Sequence, residues 1–198
     1  MFRAIDVSHW NNVQSFASDA YDAVIIKATQ GKKYVDKKML DHAERALKAG
    51  KMIGFYHFYD LSASPEEQAQ HFIDTVSHYL YKAILVLDWE SDAVKLGVDY
   101  AKRFLDYVRK QTGVLPLIYM SQSVVKSHDW TKIKNDYGLW VARYNITLGD
   151  VKPWSTWALW QYTSTGVIDG IAGKVDISKV NMSESAWHRY ALGKGKVY

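Results

Sequence analysis

The sequence predicts an α/β fold, an irregular TIM-like barrel of about five βα units followed by three further strands. Short apolar runs alternate with segments of helical apolar spacing, a pattern typical of a mainly parallel sheet. The polar or aromatic residues that end successive runs are separated by 21, 30, 31, 31, 24, 18 and 15 residues. The early intervals fit a strand and a crossover helix, whereas the last two are too short for one. These residues are Asp6, Lys27, His57, Asp88, Tyr119, Arg143, Gln161 and Asp176.

The apolar runs are interpreted as strands because they are short and rich in aliphatic, β-branched and aromatic residues. They span residues 4–7, 23–26, 52–58, 83–87, 115–119, 139–142 and 157–162, with an eighth strand near residue 176. Helices are predicted over residues 37–49, from Ser64 onward, and over residues 94–110. Ser64 and Pro65 are the residue types that start a helix, and Gly50 is the type that ends one.

One domain of residues 1–190 is expected, because 198 residues suit a single barrel with a sizeable core. Residues 191–198 contain two Gly-Lys pairs and are interpreted as a tail or the start of a linker. The absence of cysteine excludes disulfides, thiol nucleophiles and zinc–thiolate sites.

Other sequence signals argue against most alternative functions. The net charge of +4 is mild and no basic stripe with interleaved aromatics occurs, so nucleic acid is not an expected partner. No segment is long and apolar enough to insert into a membrane, and no secretion signal precedes the first strand. HExxH, G-x-S-x-G and phosphate-loop patterns do not occur, so neither a metal nor a cofactor is expected. We expect a monomer.

The triplet Asp88-Trp89-Glu90 follows the buried run 83–87 and carries the chemical signal. Side chains two apart on a strand share one face, so Asp88 and Glu90 point the same way. Paired carboxyls, one protonated and one ionised, are what cleavage of a glycosidic bond requires. Taken alone, the triplet is better explained by Asp88 capping a turn and Glu90 being solvated.

In a closed α/β barrel, the chemistry lies at the C-terminal rim of the strands. The predicted strand ends bring four carboxyls to that rim, from Asp6, Asp88, Glu90 and Asp176. Buried acids are rare unless they are paired or used, so this convergence favours catalysis over capping. His57 is also expected at the rim, where it either hydrogen-bonds a carboxylate or packs at the strand end.

A series of short motifs in fixed order gives a family resemblance that spans roughly residues 3–180. They are Ile5-Asp6-Val7-Ser8-His9-Trp10, Val24-Ile25-Ile26-Lys27-Ala28-Thr29, Gly54-Phe55-Tyr56-His57-Phe58, Leu87-Asp88-Trp89-Glu90, Ile118-Tyr119, Leu139-Trp140-Val141-Ala142, Trp160-Gln161-Tyr162-Thr163 and Gly170-Ile171-Ala172-Gly173-Lys174-Val175-Asp176. Together they resemble glycoside hydrolase family 25, the Chalaropsis-type muramidases that are common in phage endolysins.

The resemblance implies a barrel of five βα units plus three strands. It also implies hydrolysis of the β-1,4 bond from N-acetylmuramic acid to N-acetylglucosamine in peptidoglycan. Glu90 would be the general acid and Asp88 its partner carboxylate, with Asp6 and Asp176 completing the acidic cluster. The residues expected to bind substrate are Tyr56, His57, Tyr119, Trp140 and Gln161. Trp140 is equally explained by packing inside the barrel.

Two residues depart from the family pattern. Gln30 stands where the family often has Glu, which keeps hydrogen bonding but removes a charge. Met120 replaces a small polar residue after the tyrosine and is expected to alter the groove wall. The role of Asp88 stays open among nucleophile, base for water, and stabiliser of the substrate's acetamido group, of which we favour the last.

Two alternatives to a muramidase remain: a catalytically silent glycan-binding barrel and a chitin-active hydrolase. A silent relative would tolerate the loss of an acid, whereas all four are present here. We expect the protein to be made in the host cytoplasm and to act on the cell wall after release, as a phage lysin does, or to be secreted by another route.

Overall fold

The computed structural model of the chain describes residues 1–193 and contains a closed barrel of eight strands. In chain order these are β1 (Phe2–Val7), β2 (Ala23–Gln30), β3 (Met52–Phe58), β4 (Ala83–Asp88), β5 (Leu117–Ser121), β6 (Leu139–Ala142), β7 (Leu159–Gly166) and β8 (Val175–Val180). Neighbours from β1 to β7 are parallel. β8 is antiparallel to both β7 and β1 and closes the ring. The predicted irregular barrel is confirmed.

Five α-helices accompany the strands within the described residues. They are α1 (Met39–Lys48), α2 (Pro65–Val76), α3 (Val98–Thr112), α4 (Gln122–Ser127) and α5 (Glu184–Leu192), with 3₁₀ turns at Ser77–Tyr79 and Ser91–Leu96. Short strands pair Asn12–Val13 with Ile171–Ala172, and Tyr34–Val35 with the end of β2. None of the helices in residues 1–193 combines the length and apolar character that a bilayer crossing requires.

The helix α2 begins where the sequence predicted. The Ser64 hydroxyl accepts a hydrogen bond from the Glu67 amide, and the Glu67 carboxylate accepts one from the Ser64 amide. This reciprocal capping satisfies two backbone donors that a helix start leaves free. Pro65, the first helical residue, has no amide hydrogen to satisfy.

The connection between β1 and β2 differs from the other early crossovers because residues 8–22 contain no helix. The hydroxyls of Ser15 and Ser18 accept hydrogen bonds from the amides of Ala17 and Ala20, two residues further on. Such local side-chain bonds compete with helix formation. The interval of 21 residues predicts a βα unit, but the chain crosses from β1 to β2 without a helix, so this part of the prediction is wrong.

Side chains alternate between the two faces of each barrel strand. Outward residues such as Val24, Ile26 and Leu85 pack under the helices in the larger apolar cluster. Inward residues such as Ile25 and Ile84 fill the barrel in a second cluster. Packed apolar side chains therefore fill the lower layers of the barrel interior. Space for a group of polar side chains remains at the C-terminal rim.

The helix α5 closes the bottom of the barrel and was not predicted from the sequence. Ser183 caps it by accepting a hydrogen bond from the Ala186 amide. Trp187 is fully buried in the interior cluster, and its ring meets Phe2 edge-on at 5.8 Å. The predicted tail at residues 191–198 begins inside this helix, and residues 194–198 lie outside the described part of the chain.

Replacing Trp187 by Ala is expected to lower the free energy of unfolding by about 3–5 kcal/mol, because it empties the bottom of the barrel interior. Urea unfolding measures this loss. His188→Ala, at an exposed position of the same helix, is the control and should change stability by less than about 0.5 kcal/mol. Equal effects of the two substitutions would show that α5 does not close the barrel.

Candidate active site

A cleft with a volume of 280 Å³ opens at the C-terminal rim of the parallel strands. Its polar character contrasts with the apolar interior beneath it. The residues that line it are Asp6, Ser8, Trp10, Lys27, Tyr56, Phe58, Asp88, Glu90, Tyr119, Trp140, Tyr144, Gln161 and Asp176. All four predicted acids are therefore brought together in one cavity.

The two-residue alternation of the strands determines which residues enter the cleft. Asp6 and Ser8 are two apart on and after β1, and Tyr56 and Phe58 are two apart on β3. Asp88 ends β4, and Glu90 follows with an extended backbone that continues the same alternation. The pattern that suggested the Asp88–Glu90 pair in the sequence therefore holds beyond the end of the strand.

Asp6 and Asp176 face each other across the antiparallel pair β1–β8, where they are directly opposite in register. Carboxyls at such opposed positions repel each other when both are ionised. Burial, and after it the charge of Asp176, hold the pKa of Asp6 well above its usual range. Burial also raises the pKa of Asp176.

Gln161 connects Asp6 to two tyrosines. Its Nε2 donates a hydrogen bond of 2.9 Å to Asp6 Oδ2. Its Oε1 accepts hydrogen bonds from the hydroxyls of Tyr119 at 2.9 Å and Tyr144 at 3.0 Å. These three bonds fix the amide orientation and hold Asp6 in place. The predicted position of Gln161 in the site is thus that of a support behind an acid.

Asp88 is the most buried of the four acids, with 7% of its surface exposed. Its Oδ1 is buried and has no hydrogen-bond partner. The adjacent backbone is fixed, because the amide of Trp89 donates to the carbonyl of Tyr119 at 2.9 Å. Burial, and after it the charge of Glu90, raise the pKa of Asp88 well above its usual value. Asp88 also lines the cleft, and a buried carboxyl oxygen without a partner at such a position is an exception that indicates a functional role.

Glu90 lies at the mouth of the cleft and is less buried than Asp88. Ser91, which follows it, has a φ of 56° and turns the chain sharply into the 3₁₀ segment. Burial raises the pKa of Glu90, while the charge of Lys27 opposes that rise. Glu90 is therefore an acid that keeps its proton to a higher pH than an exposed glutamate does.

Lys27 is the one basic side chain among the described residues that line the cleft. Its Nζ donates a hydrogen bond of 2.8 Å to Gln30 Oε1 and lies 4.8 Å from the centre of the Phe58 ring. Burial lowers the pKa of Lys27, and the charge of Asp88 counteracts this. Gln30 thus holds Lys27 through a neutral amide that does not neutralise its charge. The positive charge of Lys27 therefore lowers the pKa values of the nearby acids Asp88 and Glu90.

His57 is not part of the cleft, and its predicted contact with substrate is corrected by the structure. The ring is fully buried on the helix side of β3, where Nδ1 contacts Thr29 Oγ1 at 2.8 Å and Nε2 contacts Gln68 Oε1 at 3.1 Å. Burial lowers the pKa of His57 to about 3. Its neighbours Tyr56 and Phe58 face the cleft instead, because alternate residues of a strand point to opposite faces.

Met120 is likewise absent from the groove wall. It is fully buried among the residues that face the helices, whereas Tyr119 points inward. The predicted effect of Met120 on the groove is therefore not found. Trp140 lines the floor of the cleft and also packs in the barrel interior, donating from Nε1 to Ser178 Oγ at 3.0 Å.

Several cleft residues were missed by the sequence analysis. Lys27 stood in the series of strand ends but was given no role, although a lysine beside paired acids is a detectable signal. Phe58 follows from the alternation within β3, and Ser8 from continuing the alternation one step past the end of β1, whereas Trp10 lies in the turn that follows. Tyr144 lies in the loop after β6, where no periodicity identifies it.

A second cavity of 320 Å³ lies at the opposite end of the barrel. Its one acidic side chain among the described lining residues is Asp136, which is half exposed and paired with Arg109 at 3.3 Å. Within residues 1–193 no cluster of three or more His, Asp or Glu side chains is arranged to hold a metal ion. Of these two cavities, the cleft at the C-terminal rim is therefore the one in which several acidic side chains lie together.

The sequence model described as glycosyl hydrolases family 25 matches residues 5–171. Among curated relatives, Lysozyme M1 of Streptomyces globisporus is 30% identical over 200 residues, covering 91% of this chain and 68% of its own. Asp176 lies beyond the matched range, so its place in the cluster is known from the structure.

Two solved structures share the fold over nearly the whole chain. The bacterial lysozyme from Streptomyces coelicolor superposes with a TM-score of 0.87 and 26% identity, covering 96% of this chain and 97% of that one. The catalytic domain of endolysin ply40 from bacteriophage P40 of Listeria monocytogenes superposes with a TM-score of 0.80 and 30% identity, covering 98% of each chain.

The raised pKa of Asp88 predicts that this residue destabilises the fold at neutral pH. A carboxyl whose pKa is raised by folding contributes most below its ordinary pKa, and that contribution is lost as the pH rises through the folded value. Asp88→Asn is therefore expected to raise the melting temperature at pH 7 by about 2–4 °C, corresponding to about 1 kcal/mol.

The gain should shrink towards zero near pH 3, and calorimetry at both pH values measures it. Asp169→Asn removes the same charge from an exposed loop position and serves as the control. A loss of stability in Asp88→Asn that is equal at both pH values would contradict the assignment.

Proposed function

The chain belongs to family 25 of the glycosyl hydrolases, and we propose that it cleaves peptidoglycan as a muramidase through Asp88 and Glu90. The chain is thus a glycoside hydrolase of the lysozyme type. The observation that carries the residue assignment is the unpartnered, buried Oδ1 of Asp88 beside Glu90 in a cleft with two further acids. A cell-wall glycan carries acetamido N–H groups that can donate a hydrogen bond to the Asp88 carboxylate.

Glu90 is proposed as the general acid. It is the more accessible member of the pair, and its pKa is raised, so a protonated carboxyl is available at the mouth of the cleft. It donates its proton to the glycosidic oxygen as the bond to the anomeric carbon breaks. The resulting Glu90 carboxylate then accepts a proton from the water that completes hydrolysis.

Asp88 is proposed to act through the substrate's own acetamido group. The acetamido oxygen attacks the anomeric carbon as the leaving sugar departs, and the Asp88 carboxylate accepts a hydrogen bond from the acetamido N–H. Water then opens the cyclic intermediate and restores the acetamido group. In the empty cleft, burial favours a proton on Asp88, whereas this hydrogen bond stabilises its anion. Substrate binding therefore favours an ionised Asp88 beside a protonated Glu90.

The remaining cleft residues are proposed to bind and orient the glycan. Tyr56 and Tyr119 present aromatic faces with hydroxyl groups, which suit a ring that is apolar on its faces and polar at its edge. Asp6 and Asp176 extend the row of carboxyl groups along the cleft and offer hydrogen-bonding groups to the hydroxyls of the glycan.

The surroundings in which the enzyme acts are also proposed. Similarity to an endolysin catalytic domain supports action on the bacterial wall after release from the host cytoplasm. The closed barrel supports a monomer, because no barrel strand has an unpaired edge that would template association. The polar cleft favours a glycan over nucleic acid or lipid as partner.

The decisive experiment is digestion of purified peptidoglycan, followed by borohydride reduction of new ends and mass spectrometry. Reduced muramitol ends are expected from a muramidase. Glucosaminitol ends would show that the other glycan bond is cut. Absence of new ends with retention of the glycan would indicate a silent binding barrel, and cleavage of soluble chitin oligomers in preference to wall would indicate a chitin-active hydrolase.

Glu90→Gln is expected to lower the rate of wall hydrolysis by at least about 100-fold, since it removes the proton donor while keeping the shape of the side chain. Initial rates on purified wall and a melting curve measure activity and folding separately. Glu44→Gln, at an exposed position of α1, is the matched control and should retain full activity. A folded Glu90→Gln variant with near-normal rates would exclude Glu90 as the acid.

Gln30→Glu is expected to shift the alkaline limb of kcat/KM to higher pH by about 0.2–0.7 units. A carboxylate at residue 30 pairs with Lys27 and offsets the positive charge that lowers the pKa of Glu90. A pH–rate profile measures the shift, with Gln111→Glu at the exposed end of α3 as control. A downward shift, or an equal shift in the control, would show that Lys27 does not tune Glu90.

A further inference from the structure

Trp10 is a large aromatic side chain that is held out in solvent. It is 84% exposed, yet it lines the cleft from the turn that follows β1. An exposed tryptophan gains nothing from burial in the folded protein, so its contribution lies in what it contacts from outside. Because Trp10 lies next to the acids, the glycan substrate is the ligand that it is placed to contact.

The side chain is supported by a rigid base. The ring of His9 lies 4.4 Å from the ring of Trp10, with 38° between the planes. The backbone amide of His9 donates to Asp36 Oδ2 at 3.1 Å, and its Nδ1 contacts the same oxygen at 2.8 Å. The Asp36 side chain is fully buried, so the hydrogen bonds that anchor His9 are shielded from solvent. The Tyr34 hydroxyl also contacts His9 Nδ1 at 3.0 Å.

The loop that carries Trp10 is itself fixed by local hydrogen bonds. The amide of Ser8 donates to Asn11 Oδ1 at 2.9 Å, and the amide of Trp10 donates to Ser8 Oγ at 3.3 Å. A flat ring on a fixed loop loses little conformational entropy when a ligand stacks on it. The loop therefore presents a preorganised surface.

A second exposed aromatic residue stands at the open edge of the same cleft. Tyr144 follows β6, is 58% exposed and lines the same cleft. Trp10 follows β1, and β6 is three strands away from β1 in the closed ring. Asp88 and Glu90 follow β4 on the other arc of the ring, so the two aromatic residues face the acid pair across the cleft. Both aromatic side chains are more than half exposed and therefore stand at the open edge of the 280 Å³ cleft, where a sugar outside the enclosed pair has to pass.

We propose that Trp10 is a stacking platform for a sugar ring of the glycan strand outside the pair of sugars joined by the scissile bond. The inference rests on the proposed function, because it takes the substrate to be a polymeric glycan. The face of a pyranose ring is apolar and matches an indole ring in size.

The test compares the wild-type protein with Trp10→Ala on defined peptidoglycan glycan oligomers of increasing length. The loss in kcat/KM is expected to grow with length, reaching about 3- to 10-fold on the longest oligomers. It should be smallest on the shortest cleavable oligomer, and KM should carry the change. Trp10→Phe should recover part of the loss. Leu40→Ala, an exposed apolar residue on α1, is the control and should show no length dependence.

Binding is measured in parallel by calorimetry in the Glu90→Gln background, so that the platform is tested even where cleavage is absent. Length-dependent weakening by Trp10→Ala supports the platform. Equal loss at every length, or no loss at any length, overturns it. A dimer of the wild-type protein that Trp10→Ala dissociates in sedimentation would also overturn it, by assigning the ring to a second copy. Failure of the wild-type protein to release muramitol ends would overturn the proposed function separately.

Discussion

The backbone pairing between β1 and β8 is the constraint on which the site depends. This antiparallel pair closes the barrel and places Asp6 directly opposite Asp176. Closure also brings Gln161 of β7 within hydrogen-bond distance of Asp6, because β8 lies between the two strands that carry them. An open sheet with the same strands would leave Asp6 and Gln161 at opposite edges. The acidic cleft is thus a product of ring closure and of inward-facing positions at a single rim.

Crowding of four carboxyls has an energetic cost that the surrounding residues reduce only in part. Gln161 donates to one acid and Lys27 supplies one positive charge, while Asp88 Oδ1 is left without a partner. An unsatisfied buried oxygen is unfavourable in the empty protein and becomes favourable when a ligand donates to it. The same feature therefore weakens the fold and strengthens the interaction with substrate, a trade-off common at enzyme sites.

The sequence predicted the barrel and the acids well because both depend on strong local patterns. Strand spacing identified the closed architecture, and two-residue alternation paired Asp88 with Glu90. The same alternation places Tyr56 in the cleft and turns His57 to the opposite face of β3. The prediction that both residues bind substrate ignored this change of face between neighbours. Tyr144 was beyond reach, since it belongs to an aperiodic loop whose path is set by tertiary contacts. The helix α5 was detectable from Ser183 and the apolar spacing of Trp187 and Ala191, but its role as a plug depends on the closed ring.

The residues of the β1–β8 pair lie almost a full chain length apart, so β1 is synthesised long before β8. β1 emerges first from the ribosome and can pair with β2 early, but its other edge waits for β8, which is complete only after residue 180 has been made. Contacts of such long sequence separation form late in folding. A nascent or prematurely terminated chain that lacks β8 holds Asp88 and Glu90 but neither the closed ring nor Asp176. For an enzyme that attacks the cell wall, completion of the chain thus becomes a condition for assembling its complete acid cluster.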